Sequence, residues 1–374
     1  MEKKRSIYSF YYEWWKNIDK FIFFIIILLF VTGLFFSLVS TSLIVSDKLE
    51  TNDYTFFFKH LLFVFLGIII IFLLSSINEA KLFKFSPIIF MFSLISLLLV
   101  PIIGVEVNSA QRWIDLYFLP RFQPIELVKP FLIISISLIL SSKKYTNIYL
   151  KYLLSFFITL VIAILLAAQP DIGQTLLIFF SWSLLIFVSG INIVFLAVSS
   201  SVLFIILFFS IMLFPKFEYI KNRIISFFNT ETGTHNAQSE KAIDSITSGG
   251  YFGKGIGEGT LKNRVPEAHT DYIISVISEE FGVIAIILIL FLFLIFIYSV
   301  LKKVNLKNEE RTKLVLVGCV SLILVQAMIH IGVNIRLFPT TGMTLPFISY
   351  GGSSIISISI LSGIILNLTK REII

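Results

Sequence analysis

Acidic side chains are few in this chain, and several of them fall at the edges of long apolar runs. The one best placed for chemistry is Asp271. It closes the stretch Val265-Pro-Glu-Ala-His-Thr-Asp271, which follows the Gly-rich Ser248-Gly-Gly-Tyr-Phe-Gly-Lys-Gly-Ile-Gly-Glu-Gly259 and opens an apolar run. A carboxylate there, with Glu267 and His269 just before it, suits general-base work: taking a proton from a hydroxyl as that oxygen attacks. The plainer reading is electrostatic. Thr270 offers an N-cap, which would put Asp271 in the first helical turn, where it complements the helix dipole. Glu279 and Glu280 follow in the same run; adjacent helical residues point about 100° apart, so they cannot share one environment. Glu279 lies about 12 Å along the helix from Asp271 on a similar face, where positioning suits it as well as chemistry.

Other ionisable groups sit where lipid is expected, and at that depth a charge is costly and marks a candidate functional site. Glu126 and Lys129, three apart, share a helix face and read equally as a structural ion pair or as part of a site. Asp171, in Gln169-Pro-Asp-Ile-Gly-Gln-Thr175, either caps the next helix or faces a ligand. Arg112, Arg121, Lys129, Lys254, Lys262, Arg264 and Arg336 fall on one side of the expected membrane. Beside a Gly-rich loop with backbone N–H groups, they suit a phosphate-bearing ligand; scattered solvated charge is the alternative. The Gly-rich stretch lacks the spacing and preceding strand of a nucleotide loop. His60, His235, His269 and His330 show no metal-ligand spacing, and Cys319 is the only cysteine. The sequence therefore requires no cofactor, and the divalent-cation role it leaves room for is a loosely held Mg or Mn ion bridging phosphate and carboxylate.

The elements that must position these residues are membrane helices. The 374 residues are 57% hydrophobic and 14% charged, with 40 Phe, far from the roughly 25% charged residues of soluble domains. That balance excludes a disordered chain, a collagen and a disulfide-stapled secreted domain. The net charge of +7 is accounted for by Lys and Arg in cytoplasmic loops, and no nucleic-acid partner is called for. Stretches of about 20 apolar residues give about ten transmembrane helices: 21–45, 56–77, 84–103, 124–142, 149–168, 171–189, 191–214, 272–301, 313–336 and 346–369. The fold class is an all-α polytopic membrane protein. With both termini cytoplasmic, the short-loop residues Lys3, Lys4, Arg5, Lys81, Lys84, Lys143, Lys144, Lys302, Lys303 and Lys307 all fall inside. Residues 1–20 are then a cytoplasmic segment, 21–369 the membrane domain and 370–374 a cytoplasmic tail. Residues 215–271 form one large extracytoplasmic loop between helices 7 and 8. Its first part, 216–228, alternates basic and apolar residues as an interfacial amphipathic helix does.

Seven stretches, in order, resemble the SEDS family of bacterial shape, elongation, division and sporulation proteins. They are Asn108-Ser-Ala-Gln-Arg-Trp-Ile114, Gln123-Pro-Ile-Glu-Leu-Val-Lys129, Gln169-Pro-Asp-Ile-Gly173, Ser248–Gly257, Val265–Ile273, Glu279-Glu-Phe-Gly282 and Pro339–Ser354. Within the family, Gly332-Val-Asn334 and Thr340-Thr-Gly-Met-Thr-Leu-Pro346 are closest to the division branch, with the elongation branch as runner-up. Ile125 and Gln111 depart from the family pattern, which usually has Ser and a basic residue there.

The resemblance implies a peptidoglycan glycosyltransferase that polymerises lipid II at the outer face of the bacterial cytoplasmic (inner) membrane, enriched at the division septum. It implies a class B penicillin-binding protein as transpeptidase partner, other divisome proteins, and lipid II and undecaprenyl pyrophosphate as ligands. The family's essential aspartate maps onto Asp271. Substrate-binding roles then fall to Arg112, Glu126, Lys129, Gln169, Asp171, Lys254, Glu267, His269, Glu279 and Ser349, with Arg112, Lys129 and Lys254 expected to meet the leaving pyrophosphate. The alternatives are a lipid II flippase, with Asp271 in gating, and a non-catalytic division scaffold that activates a partner synthase.

Overall fold

The computed structural model describes residues 7–41, 54–107, 110–115, 120–213, 217–228, 234–259 and 268–370. The helices, in chain order, are α1 (Ile7–Asn17), α2 (Lys20–Thr41), α3 (Thr55–Ser76), α4 (Glu79–Ile103), α5 (Pro124–Leu140), α6 (Ile148–Ala168), α7 (Ile172–Val188), α8 (Ile193–Leu213), α9 (Glu218–Phe228), α10 (Thr234–Gly249), α11 (Ile273–Val304), α12 (Glu310–Asn334) and α13 (Gly352–Leu368). Each apolar stretch expected to span has a helix over most of its described residues, and α9 covers most of the expected amphipathic segment. Among the described residues, six helices (α2, α3, α4, α6, α11 and α12) are long and apolar enough to cross a membrane; α7, α13 and the first part of α8 are shorter apolar helices. The chain is a multi-pass membrane protein.

Most of these helices are apolar on every side, so their buried faces are marked by small and polar residues. This inverts the soluble rule, because lipid tails offer Leu and Phe as good an environment as the core does. Helix α3 exposes Phe58, Leu62, Phe65 and Leu73 and buries His60, Val64, Gly67, Ile71 and Ser75. That face lies along α13, close enough that a Cβ on Gly67 would stand 2.3 Å from Ser359 Oγ. A side chain there would have to displace the Ser359 hydroxyl. Asn367, near the end of α13, donates to the carbonyls of Leu74 and Ile77 at 2.6 and 2.7 Å, satisfying orphan groups at the α3 C-terminus. Helices α5, α12 and α13 are almost wholly buried and form the centre.

One end of the bundle is held by Asp19, whose carboxylate caps α2 through the Phe21 and Ile22 N–H groups and meets Lys303 Nζ at 2.6 Å. Trp14 Nε1 donates to Ser75 there as well.

Four features at the other end differ from expectation. Residues 346–351 are not helical; α13 starts at Gly352, after a turn in which Ser349 Oγ accepts from Leu345 N–H and Phe347 takes φ 66°. A short antiparallel hairpin, β1 (Val105–Val107) with β2 (Ala110–Trp113), interrupts the all-α plan. The large loop carries α10, a polar helix whose sequence gives no apolar run to announce it. Helix α11 is broken at Gly282 (φ 75°, ψ 179°), a conformation open to glycine alone. The Gly-rich loop fills that break: Lys254 N–H and Gly255 N–H donate to the carbonyls of Glu279 and Glu280, while Val283 and Ile284 N–H donate to those of Gly250 and Tyr251. In a dry setting the freed helix groups need these partners. Two of the loop's N–H groups, those of Lys254 and Gly255, are thereby spent on α11.

Candidate active site

Asp271 stands in the turn 268–272, just before α11, whose N-cap is Tyr272 with no side-chain capping bond. It is not in the first helical turn, as Thr270 capping would have placed it. The turn is instead fixed from outside. The consecutive carbonyls of His269, Thr270 and Asp271 accept from Tyr350 N–H (3.1 Å), Ser349 Oγ (2.7 Å) and Asn334 Nδ2 (3.0 Å). The backbone under the carboxylate is thus tied to the end of α12 and to the turn before α13. The carboxylate itself is half-buried, and its Oδ2 lies 3.5 Å from where a Cβ on Gly342 would stand.

It faces a cleft of about 1030 Å³ lined by Lys59 and Phe63 of α3, Arg112 and Trp113 of β2, Arg121, Gln123, Glu126 of α5, Gln174 of α7, Thr340–Thr344 and Tyr350–Ser354. Behind this lining runs a polar network through the bundle. Lys129, 1% exposed, places Nζ 2.8 Å from each Glu126 oxygen and 3.3 Å from Gln326 Oε1. Gln174 Nε2 donates to Glu126 Oε1 at 3.0 Å, and Gln326 Nε2 to the Thr344 carbonyl at 3.0 Å. The three-residue spacing of Glu126 and Lys129 thus makes a buried ion pair, and the pair also ties α5 to α7 and α12.

Asp171 caps α7 by accepting from Gln174 N–H, and it also accepts from Gln123 Nε2 at 3.0 Å and faces Arg112 at 3.9 Å. Arg112 Nε donates to the Gln169 carbonyl at 3.1 Å, and Nη2 donates to the Pro170 carbonyl. Its guanidinium fastens the hairpin to the start of α7. Gln169 Nε2 reaches the Leu97 carbonyl on α4.

The remaining expected residues are placed elsewhere. Lys254 pairs with Glu279 at 3.1 Å, and Ser245 Oγ donates to the other Glu279 oxygen at 2.9 Å. Glu279 is fully buried against the Gly-rich loop, and neither residue lines the cleft. The His269 ring packs on Phe56, with centroids 4.7 Å apart, and near Tyr350. Ser349 acts on backbone, between Leu345 N–H and the Thr270 carbonyl. Glu267, Lys262 and Arg264 lie outside the described residues. Among the described residues, no group of three or more His, Cys, Asp or Glu could hold a metal ion.

Sequence reasoning did not single out Lys59, Gln123, Gln174, Gln326 or Asn334. Lys59 had a signal, as a cation directly after Phe56-Phe-Phe58 at the mouth of an apolar helix. Gln123, Gln174 and Asn334 lay inside the quoted stretches but with no partner marked, and Gln326, a lone Gln in an apolar run, had no signal.

Fold and site together define a polytopic membrane protein with a charged cleft at one end of its bundle and a half-buried carboxylate at the cleft wall. Residues 19–373 match the cell cycle protein family of FtsW, RodA and SpoVE, and the chain belongs to that family. A protein of Haemophilus influenzae named "Probable peptidoglycan glycosyltransferase FtsW" is 31% identical over an alignment covering 100% of this chain and 97% of its own. The crystal structure of the rod shape determining protein RodA of Thermus thermophilus superposes with a TM-score of 0.70 at 25% identity, covering 95% of this chain and 97% of that one. A chain of a peptidoglycan synthase complex, described for its coordination of polymerization and crosslinking, superposes with a TM-score of 0.79 at 24% identity, covering 94% and 97% of the two chains. Likeness is greater to the FtsW sequence than to RodA, as Gly332–Asn334 and Thr340–Pro346 suggest.

Proposed function

We propose that this protein is a peptidoglycan glycosyltransferase that polymerises lipid II at the outer face of the cytoplasmic membrane during septal wall synthesis. The observation that carries the proposal is Asp271: a carboxylate at a cleft wall whose backbone is held at three consecutive carbonyls. Such fixing is what a base requires in order to meet one particular hydroxyl. Asp271 takes the proton from the 4-hydroxyl of the incoming GlcNAc. That oxygen bonds to the anomeric carbon of the donor MurNAc with inversion, and the carbon–oxygen bond to polyprenyl pyrophosphate breaks, the electron pair leaving with the diphosphate. A diphosphate leaves without an acid, so one carboxylate suffices. No step here runs through a divalent cation.

The cleft end is the outer end in this reading. Residues 1–20 and 370–374 face the cytoplasm, as does the Asp19–Lys303 bridge, and 215–271 is the large outer loop within the membrane domain 21–369. Arg112, Gln169, Asp171, Glu126 and Lys129 hold the cleft wall in shape around the substrate; Glu279 and Lys254 hold the loop to α11. The transpeptidase partner is a class B penicillin-binding protein, and recruitment to the septum runs through other divisome proteins.

The test is polymerisation of labelled lipid II by the purified protein with its cognate partner, with penicillin present to silence crosslinking. Asp271→Asn and Asp271→Ala should lose about 10²–10⁴-fold in rate while keeping the wild-type melting temperature and partner binding. Equal polymer from wild type and variants would remove Asp271 as the base. Lipid II crossing proteoliposome membranes with no polymer from either would make the protein a flippase.

A further inference from the structure

A lipid-linked diphosphate needs a cation, and the residues best placed by sequence are committed elsewhere. Arg112 spends its guanidinium on the Gln169 and Pro170 carbonyls and on Asp171. Lys129 is sealed against Glu126 behind the cleft wall. Lys254 is bound to Glu279 outside the cleft. Arg121 reaches the cleft but pairs with Asp115 at 2.9 Å.

Lys59 is different. Among the described residues lining the cleft, it is the one cation without a carboxylate partner; its Nζ stands 5.9 Å from the centroid of the Phe56 ring. It is exposed, in the second turn of α3, with Phe63 one turn further along on the same cleft wall. A four-carbon stem with three mobile donors suits a diphosphate that must arrive, react and leave.

We propose that Lys59 is the diphosphate-binding residue of the cleft, donating from Nζ to the phosphate oxygens of the lipid-linked donor. This inference rests on the glycosyltransferase reading and gives that site its anion anchor.

The experiment measures binding of undecaprenyl pyrophosphate, and of undecaprenol as the phosphate-free control, to the full chain in phosphatidylcholine nanodiscs. Lys59→Ala and Lys59→Gln should weaken binding of the pyrophosphate by about ten- to a hundredfold, with undecaprenol unaffected and the melting temperature unchanged. Lys59→Arg should restore most of the affinity, and Lys144→Ala, at an exposed site away from the cleft, should change nothing. Wild-type affinity in Lys59→Ala, or an equal loss for undecaprenol, overturns the proposal. So does full competition by phosphatidylglycerol in the nanodisc, which would make Lys59 a contact for ordinary headgroups. The two readings also separate. Polymerisation by Lys59→Ala with the wild-type KM removes Lys59 and leaves the glycosyltransferase standing. Lys59-dependent pyrophosphate binding in a protein that polymerises nothing keeps the site and removes the glycosyltransferase.

Discussion

The Glu126–Lys129 pair offers the sharpest energetic test of how the cleft wall is built. Both side chains are almost fully buried, Nζ lies 2.8 Å from each carboxylate oxygen, and Gln174 and Gln326 extend the contact to α7 and α12. Lys129→Met leaves a buried carboxylate with only an amide for company, and Glu126→Gln leaves a buried ammonium in the same position. Removing one partner of such a pair costs about 3–5 kcal/mol, whereas replacing both with neutral groups of similar volume is often close to neutral. For a chain of this size about 2 °C of melting temperature goes with each kcal/mol. Each single variant should therefore melt about 6–10 °C below wild type, and the double variant Glu126→Gln/Lys129→Met should recover most of that loss. The coupling energy from the four proteins would then be at least about 2 kcal/mol. The assay is thermal unfolding in one detergent at fixed pH and salt. If the double variant loses the sum of the two singles, the charges do not act as a pair and the network does not hold the wall as described.

Two further outcomes follow from the ends of the bundle. Burial alone would raise the pKa of Asp19, but the Lys303 ammonium and the Ile22 and Phe21 N–H groups outweigh it and hold it below its ordinary value. The bridge therefore stabilises the fold above the carboxylate's unfolded pKa and is lost as pH falls through the lower folded one. Asp19→Asn, which keeps the cap, should cost about 1 kcal/mol, constant between pH 8 and 5 on the scale of an unperturbed carboxylate and vanishing only in strong acid; a gap that grows toward acid in thermal melts would contradict this. At the other end, Asn334→Ala removes the donor to the Asp271 and His330 carbonyls. It should lower kcat for polymerisation about tenfold or more with little change in KM, because geometry at the base is lost while the substrate's own contacts remain; an unchanged kcat would mean the other two carbonyl bonds suffice.

What the sequence made legible follows from what a bilayer demands. A span needs about 20 apolar residues whatever its partners are, so the helices could be placed from Phe, Ile and Leu content alone. Which face each helix buries could not, because the long apolar stretches of α3 and α11 look alike on every side and only residues such as Gly67 and Ser359 mark a contact. Asp171 was readable as a cap because capping is local, and Glu126 with Lys129 because three residues apart on a helix means one face. The partners of Arg112 and Lys254 were not readable, for a physical reason. Their partners are backbone carbonyls of a distant turn and a carboxylate on a broken helix, and no charge pattern along the chain encodes those.

The same distinction explains where the reactive groups lie. Several of the bundle's interior charged and amide groups are paired: Lys129 with Glu126, Asn367 with the end of α3, Glu279 with Lys254 and Ser245. In hydrocarbon a group left without partners is expensive, so fixed charges there are paired and structural. A group meant for a substrate must be kept at the cleft surface and be held through its backbone. Asp271, fastened at its carbonyl, and Lys59, carried on the second turn of α3, both meet that condition from opposite chemical signs. In the proposed reading Asp271 is the proton acceptor and Lys59 the anion anchor on the wall of one cleft, the pair of roles a transfer with a diphosphate leaving group needs.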